Sequence, residues 1–338
     1  MISLLVTVLV LATFVVVVNF IGLRIRNKAM RQIAPGELEN AEQLIARTKD
    51  GRQVAYCRYG SQDTTKPVVI NIHGSGLEAT FERTTYEDIC LSLDCRGIAI
   101  SLPGCGFSDE KPGRKVIDWP AEDLAAVLAA ESIDKFHITG HSQGTPHAIA
   151  AALHFTERCV GLGLNAPLIP TSLCNELGFA RTLGTGQTPT SQQLKTAYMG
   201  WYFSLMGLAF GHLPPSMLSH FIKKGFPKVK ADVELVNRFE SSMRRAVVRG
   251  TCGAIWETAQ DTCFNWGFDV RDVTHSNVIV WHSGDDSAIP SEQGLWLADY
   301  FSARYKHTSE GYGYMTYCRG KYLQPKNSIV AALLEGEN

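Results

Sequence analysis

Residues Gly140-His141-Ser142-Gln143-Gly144 close the apolar run Phe136 to Thr139 and stand just ahead of an alanine-rich segment. Glycines two before and two after a serine constrain this chain more than any other feature. They are needed where a strand turns at once into a helix, because a Cβ at either place would meet the neighbouring strand or helix. The serine at the apex is then strained, with its hydroxyl outward. The plainer alternative is a glycine-rich turn with an ordinary serine. The flanking strand and a helix starting at about Thr145 favour the exposed-serine elbow.

The rest of the chain supplies the sheet that such an elbow needs. Leu44 to Thr48 and Gln53 to Tyr59 read as a hairpin around Lys49-Asp50-Gly51. Buried apolar strands follow at Pro67 to Ile72, Gly97 to Ser101, Phe136 to Thr139 and Val160 to Leu164, separated by helical patterns such as Trp119 to Glu131 and Thr145 to Phe155. This alternation predicts a mostly parallel sheet with helices on both faces. It breaks over about 166–269, a mostly helical stretch with Tyr198, Trp201, Tyr202, Phe203 and Phe210 in a cluster. It resumes at Asn277 to His282 and Arg304 to Thr308.

Two further blocks lie upstream of the serine. Strand Val68 to Ile72 runs into His73-Gly74-Ser75-Gly76. A glycine loop there presents backbone N–H groups, and the N–H of Ser75 with that of Gln143 would stabilise a tetrahedral oxyanion. Strand Gly97 to Ile100 runs into Ser101-Leu102-Pro103-Gly104-Cys105-Gly106-Phe107-Ser108-Asp109. With these blocks in this order, the chain resembles the α/β-hydrolase fold family over roughly Ala46 to Tyr317. Members carry a Pro-Gly-x-Gly-x-Ser-Asp loop between the oxyanion loop and the elbow, where it is structural. The family's acid sits at a strand end four residues before a proline. In Trp281-His282-Ser283-Gly284-Asp285-Asp286-Ser287-Ala288-Ile289-Pro290, Asp286 fits that spacing and Asp285 is the alternative. The acid would orient a histidine and stabilise the imidazolium.

The order serine, acid, histidine leaves the histidine for last, after the final strand. This chain instead reads Gly311-Tyr312-Gly313-Tyr314-Met315, so Tyr314 stands at the histidine position, and no histidine follows His307. A phenol with a pKa near 10 is a poor base for serine at neutral pH. In subtilisin, losing the triad histidine costs about a million-fold in turnover. His307 is a candidate substitute base, although seven extended residues span about 23 Å. His141 is read as part of the elbow and His73 as structural.

Serine at the apex excludes the aspartate-nucleophile reactions of this fold. It supports attack on a carboxylic ester-like bond through an acyl-enzyme, as in serine esterases and lipases. The resemblance implies such a hydrolase, with Ser142 as nucleophile and an apolar lid suited to lipophilic acyl substrates. Tyr314 supports the alternative, a catalytically impaired member of the fold that binds a ligand. An acyltransferase is a third reading. No phosphate loop, dinucleotide fingerprint or metal-spaced cluster occurs, so no cofactor or metal is expected. His137, His141 and His147 fall across a strand, an elbow and a helix. Thirty-two basic against thirty-three acidic residues give no reason to expect nucleic acid.

Residues 1–23 are almost wholly apolar, interrupted only by Ser3, Thr7, Thr13 and Asn19, and about 20 such residues suffice to cross a bilayer as a helix. A cleaved signal peptide is the competing reading, but the positive charges at Arg24, Arg26, Lys28 and Arg31 follow the run instead of preceding it. The expected organisation is an anchor at 1–23, a linker at 24–45 and a hydrolase domain at 46–338. The positive-inside rule places that domain in the cytoplasm. Nine cysteines without Cys-x-x-Cys spacing suit a reducing compartment.

Overall fold

Among the described residues, eight strands form one sheet in the order β1-β2-β4-β3-β5-β6-β7-β8. They are β1 Leu44–Arg47, β2 Gln53–Gly60, β3 Val68–Ile72, β4 Arg96–Ile100, β5 Phe136–His141, β6 Cys159–Asn165, β7 Val278–Ser283 and β8 Arg304–Thr308. β2 runs against the direction of the other seven strands, and every pair from β4 through β8 in the sheet order is parallel. The structure is a computed structural model that describes residues 5–14, 16–17, 31–180, 217, 220, 232–249, 262–264, 266–286, 288–308 and 313–337.

The central strands are buried on both faces, which is why β3 reads Val-Val-Ile-Asn-Ile without polar alternation. One face carries Ile70, Ile98, Ile138, Leu162 and Val280 under the helices α3 Gly144–His154 and α6 Ser291–Tyr300. The other carries Val69, Ala99, Ile279 and Trp281 under α1 Ala79–Ser92 and α7 Ile329–Leu334. Helix α2 is Ala125–Ala130. The helical stretch expected over 119–131 opens instead with a π-helical turn, Pro120–Leu124, at the proline.

Helix α1 has little signal of its own, because its sequence holds three threonines. It is started by Glu78, whose buried carboxylate accepts the Thr80 N–H at 3.0 Å. The insert between β6 and β7 contributes α4 Thr171–Leu177 and α5 Val233–Ala246. Its aromatic cluster at 198–210 lies outside the described residues.

Residues 5–14 and 16–17 are helical, and Leu5, Val10 and Phe14 are all more than 60% exposed. Among the described residues no helix is long and apolar enough to cross a membrane. The anchor expected at 1–23 lies partly outside them.

Candidate active site

The elbow is built as the glycine spacing requires. Strand β5 ends at His141, and Ser142 takes φ 49°, a left-handed conformation that costs a non-glycine residue about 1–2 kcal/mol. A Cβ added at Gly140 would lie 2.4 Å from the Gly144 carbonyl oxygen, and one at Gly144 would lie 2.4 Å from that of Ile72. The turn is held by the Ser142 N–H, which donates to Asn165 at 2.9 Å, and by the Ser142 carbonyl, which accepts from the N–H and hydroxyl of Thr145. Gln143 is the N-cap of α3, so its own N–H has no acceptor within the helix. The positive end of the helix dipole therefore lies beside the serine.

The His73–Gly76 loop closes on this turn. A Cβ on Gly74 would stand 2.7 Å from His141 Nδ1 and 3.5 Å from the Ser142 Cβ, so only glycine lets this backbone approach Ser142 so closely. The Leu77 N–H donates to the Gly74 carbonyl, which leaves Ser75 exposed at the tip. His73 is fully buried. The Leu102 N–H donates to its Nε2 at 2.9 Å, so Nδ1 carries the proton and donates to the Gly74 carbonyl at 2.8 Å. Burial pushes its pKa down to about 4. A neutral histidine thus ties the His73–Gly76 loop to the 101–109 loop, which is the structural role expected for it.

That second loop is itself cross-tied. Ser108 Oγ donates to the Ser101 carbonyl at 2.8 Å and accepts the Ala55 N–H at 3.0 Å, while the Asp109 carboxylate accepts the Gln53 N–H at 2.7 Å.

At the end of β7 the two aspartates separate. The Asp286 side chain is fully buried. Its Oδ1 accepts the N–H groups of Ala288 at 2.8 Å and Ile289 at 3.0 Å, and Oδ2 lies 3.4 Å from His282 Nε2. Asp285 is exposed and accepts from the Ser283 hydroxyl and, at 3.3 Å, from the Gly313 N–H. Asp286 is thus the rigid carboxylate, while Asp285 latches the loop after β8.

Gly313 abuts the acid turn, since a Cβ there would lie 3.6 Å from the Asp286 Cα. Tyr314 follows it in the 3₁₀ helix Gly313–Cys318, so its backbone stands next to Asp286. His307 is exposed in β8, opposite His282 and beside Gly284. Three strand spacings, about 14 Å, separate β8 from β5. The structure therefore brings Ser142, Gly74, Ser75 and Gln143 together at one strand end and sets Tyr314 beside Asp286, but it leaves His307 at the sheet edge.

One cluster had no signal in the sequence. The His141 ring packs on Tyr317 with centroids 4.4 Å apart, and the Tyr317 hydroxyl donates to Glu82 of α1 at 3.0 Å. Both Tyr317 and Glu82 are buried. Burial raises the Glu82 pKa to about 8, against the lowering effects of the Tyr317 bond and Arg238. These residues are 235 positions apart, so only the folded chain shows that they pin the 313–318 segment to the elbow.

The sheet order, the elbow and the buried aspartate after β7 define a class, and a family profile described as alpha/beta hydrolase fold matches residues 67–313. The chain belongs to the α/β-hydrolase fold family. It is 24% identical over 249 residues to a 2-hydroxy-6-oxononadienedioate/2-hydroxy-6-oxononatrienedioate hydrolase of Paraburkholderia phymatum, covering 71% of this chain and 77% of that one. A thermophilic esterase from Thermogutta terrifontis superposes with TM-score 0.60 at 17% identity, over 87% of this chain and 97% of its own. An enol-lactonase from Burkholderia xenovorans superposes with TM-score 0.60 at 13% identity, over 86% of this chain and all of its own. These structural likenesses show the fold.

Proposed function

We propose that this protein is a serine hydrolase of carboxylic ester-like bonds in lipophilic acyl substrates, acting through an acyl-enzyme on Ser142. The observation that carries this reading is the left-handed Ser142 at the N-terminus of α3, with the Gly74 backbone packed against it. Strain at this one residue is retained because it aims the hydroxyl out of the sheet, beside the N–H groups. The Ser142 oxygen would add to the carbonyl carbon, its proton passing to a base. The N–H groups of Ser75 and Gln143 would hold the resulting oxyanion. Collapse expels the alcohol with a proton and leaves the acyl-serine, and water then releases the acid by the same steps. Asp286 is the acid of the set. The relatives that are hydrolases support the same class of reaction.

The base sets the rate. Tyr314 occupies the histidine position, and its phenol takes the serine proton poorly at neutral pH. This favours a second reading, a member of the fold that binds an acyl ligand with little or no turnover. A fluorophosphonate probe separates the two. Labelling that Ser142→Ala abolishes supports the hydrolase. Tyr314→His is expected to speed that labelling at least a hundredfold by restoring a general base. A folded protein that is unlabelled in both forms would establish the binding reading.

We further propose that residues 1–23 form an uncleaved bilayer anchor, with the domain on the cytoplasmic side. Exposed leucine, valine and phenylalanine side chains over 5–17 support this, since bilayer hydrocarbon is the solvent that suits them.

A further inference from the structure

The segment after the proposed anchor is docked on the catalytic rim of the sheet. The Arg31 N–H donates to the Arg249 carbonyl at 3.1 Å, Arg31 Nε donates to the Val248 carbonyl at 2.9 Å, and Arg249 Nε returns a bond to the Arg31 carbonyl at 2.9 Å. Both guanidinium groups are paired with acids. Arg31 binds Glu37 through two nitrogens, and Arg249, only 4% exposed, binds Asp109 at 2.8 Å and the Phe107 carbonyl at 3.0 Å. Gln43 then donates to Glu78, the carboxylate that caps α1 and also takes the Ser242 hydroxyl and Arg245 of the insert.

All these partners lie at one end of the sheet. Phe107 and Asp109 follow the end of β4, and Glu78 follows the end of β3. Leu44 and Tyr56 are level with Ile100, the last residue of β4. Ser142, at the end of the parallel strand β5, belongs to the same rim. The other rim carries the turn between β2 and β3, where the Pro67 carbonyl meets the N–H of Arg96 at the start of β4.

We propose that Arg31–Gln43 is a strap that holds the catalytic rim against the bilayer, so that the active site opens onto the leaflet and takes amphiphilic acyl esters from it. This rests on the reading of residues 1–23 as the anchor. From residue 23 to Arg31 the chain spans at most about 30 Å, and the strap gives the domain no further slack. Arg24, Arg26 and Lys28 add attraction to anionic headgroups on that side. A strap on the opposite rim would have turned the nucleophile away from the lipid.

The test uses the full chain in vesicles containing nitroxide-labelled lipid, with a fluorophore on a single introduced cysteine. Lys49→Cys reports the catalytic rim and Thr64→Cys the opposite one. Both positions are exposed, and they lie about 25 Å apart along β2. The background is Cys252→Ser with Cys263→Ser, because the other seven cysteines are buried. The expected result is at least twofold stronger lipid quenching at position 49. A 30-residue Gly-Ser insertion between Lys28 and Ala29 should abolish that difference. Equal quenching, or stronger quenching at 64, in protein that floats with the vesicles overturns the strap. Failure to float overturns the anchor and the strap with it.

Discussion

Ser142 and its glycines show how much depends on single atoms. Gly144→Ala would drive a methyl group to 2.4 Å from one backbone oxygen and 2.9 Å from another, neither of which can move without breaking β3 from the elbow. It should lower stability by more than about 3 kcal/mol, or prevent folding. Gly76→Ala is the contrast. Its φ of 73° is also left-handed, but a Cβ there meets nothing within 4 Å, so the cost should stay near 1 kcal/mol. Chemical denaturation of the two variants separates collision from strain. Close approach is the reason both elbow glycines were legible in the chain, since no other residue type satisfies it.

At the scale of elements, the site depends on an assembly that no single segment encodes. The 3₁₀ helix Gly313–Cys318 is fixed by Asp285 at its start and by Tyr317 between His141 and Glu82 further along. This fixes the backbone at position 314, from which the side chain of the Tyr314→His variant would start. The Glu82 link also has a pH signature. Its folded-state pKa is raised from 4.5 to about 8, so its stabilising contribution is complete below 4.5 and is lost as pH rises through 8. Glu82→Gln keeps an acceptor for Tyr317 but cannot ionise. The variant should gain on the parent by a few kcal/mol between pH 5 and pH 9. Melts at the two pH values that show no relative gain would mean that Glu82 is already solvated. The strand pattern was readable because buried parallel strands are continuous apolar runs. Helix α1 was not, because its threonines carry no helical signal and its start depends on a carboxylate buried by other segments.

For the molecule as a whole, buried titrating groups set the pH range of stability. His73, held to about 4 from 6.5 by burial, contributes stability above pH 6.5 that is lost as pH falls through 4. Burial and Arg114 hold His147 well down in the same direction. Glu82 acts oppositely above 4.5. Below pH 6.5 the lowered histidines, His154 and His275 among them, outweigh the raised carboxyls of Glu82 and Asp123, and above it the raised carboxyls alone still act. Thermal stability should therefore peak near pH 6.5 and fall on both sides, and unfolding measured from pH 4 to 9 checks this. A curve still rising at pH 8 would contradict it.

The amino-acid sequence alone determined the sheet class, the elbow, the glycine loop after β3, the aspartate pair at the end of β7 and the tyrosine where a histidine was expected. Each follows from local rules: burial on two faces, the space a Cβ takes, and spacing along one segment. Tertiary structure alone decided which aspartate is the buried one, how far His307 lies from Ser142, and that Arg31, Glu82 and Tyr317 bear on the rim that carries Ser142. Those facts depend on contacts between residues tens to hundreds of positions apart, and burial and proximity of that kind exist only once the strands have taken their order in the sheet.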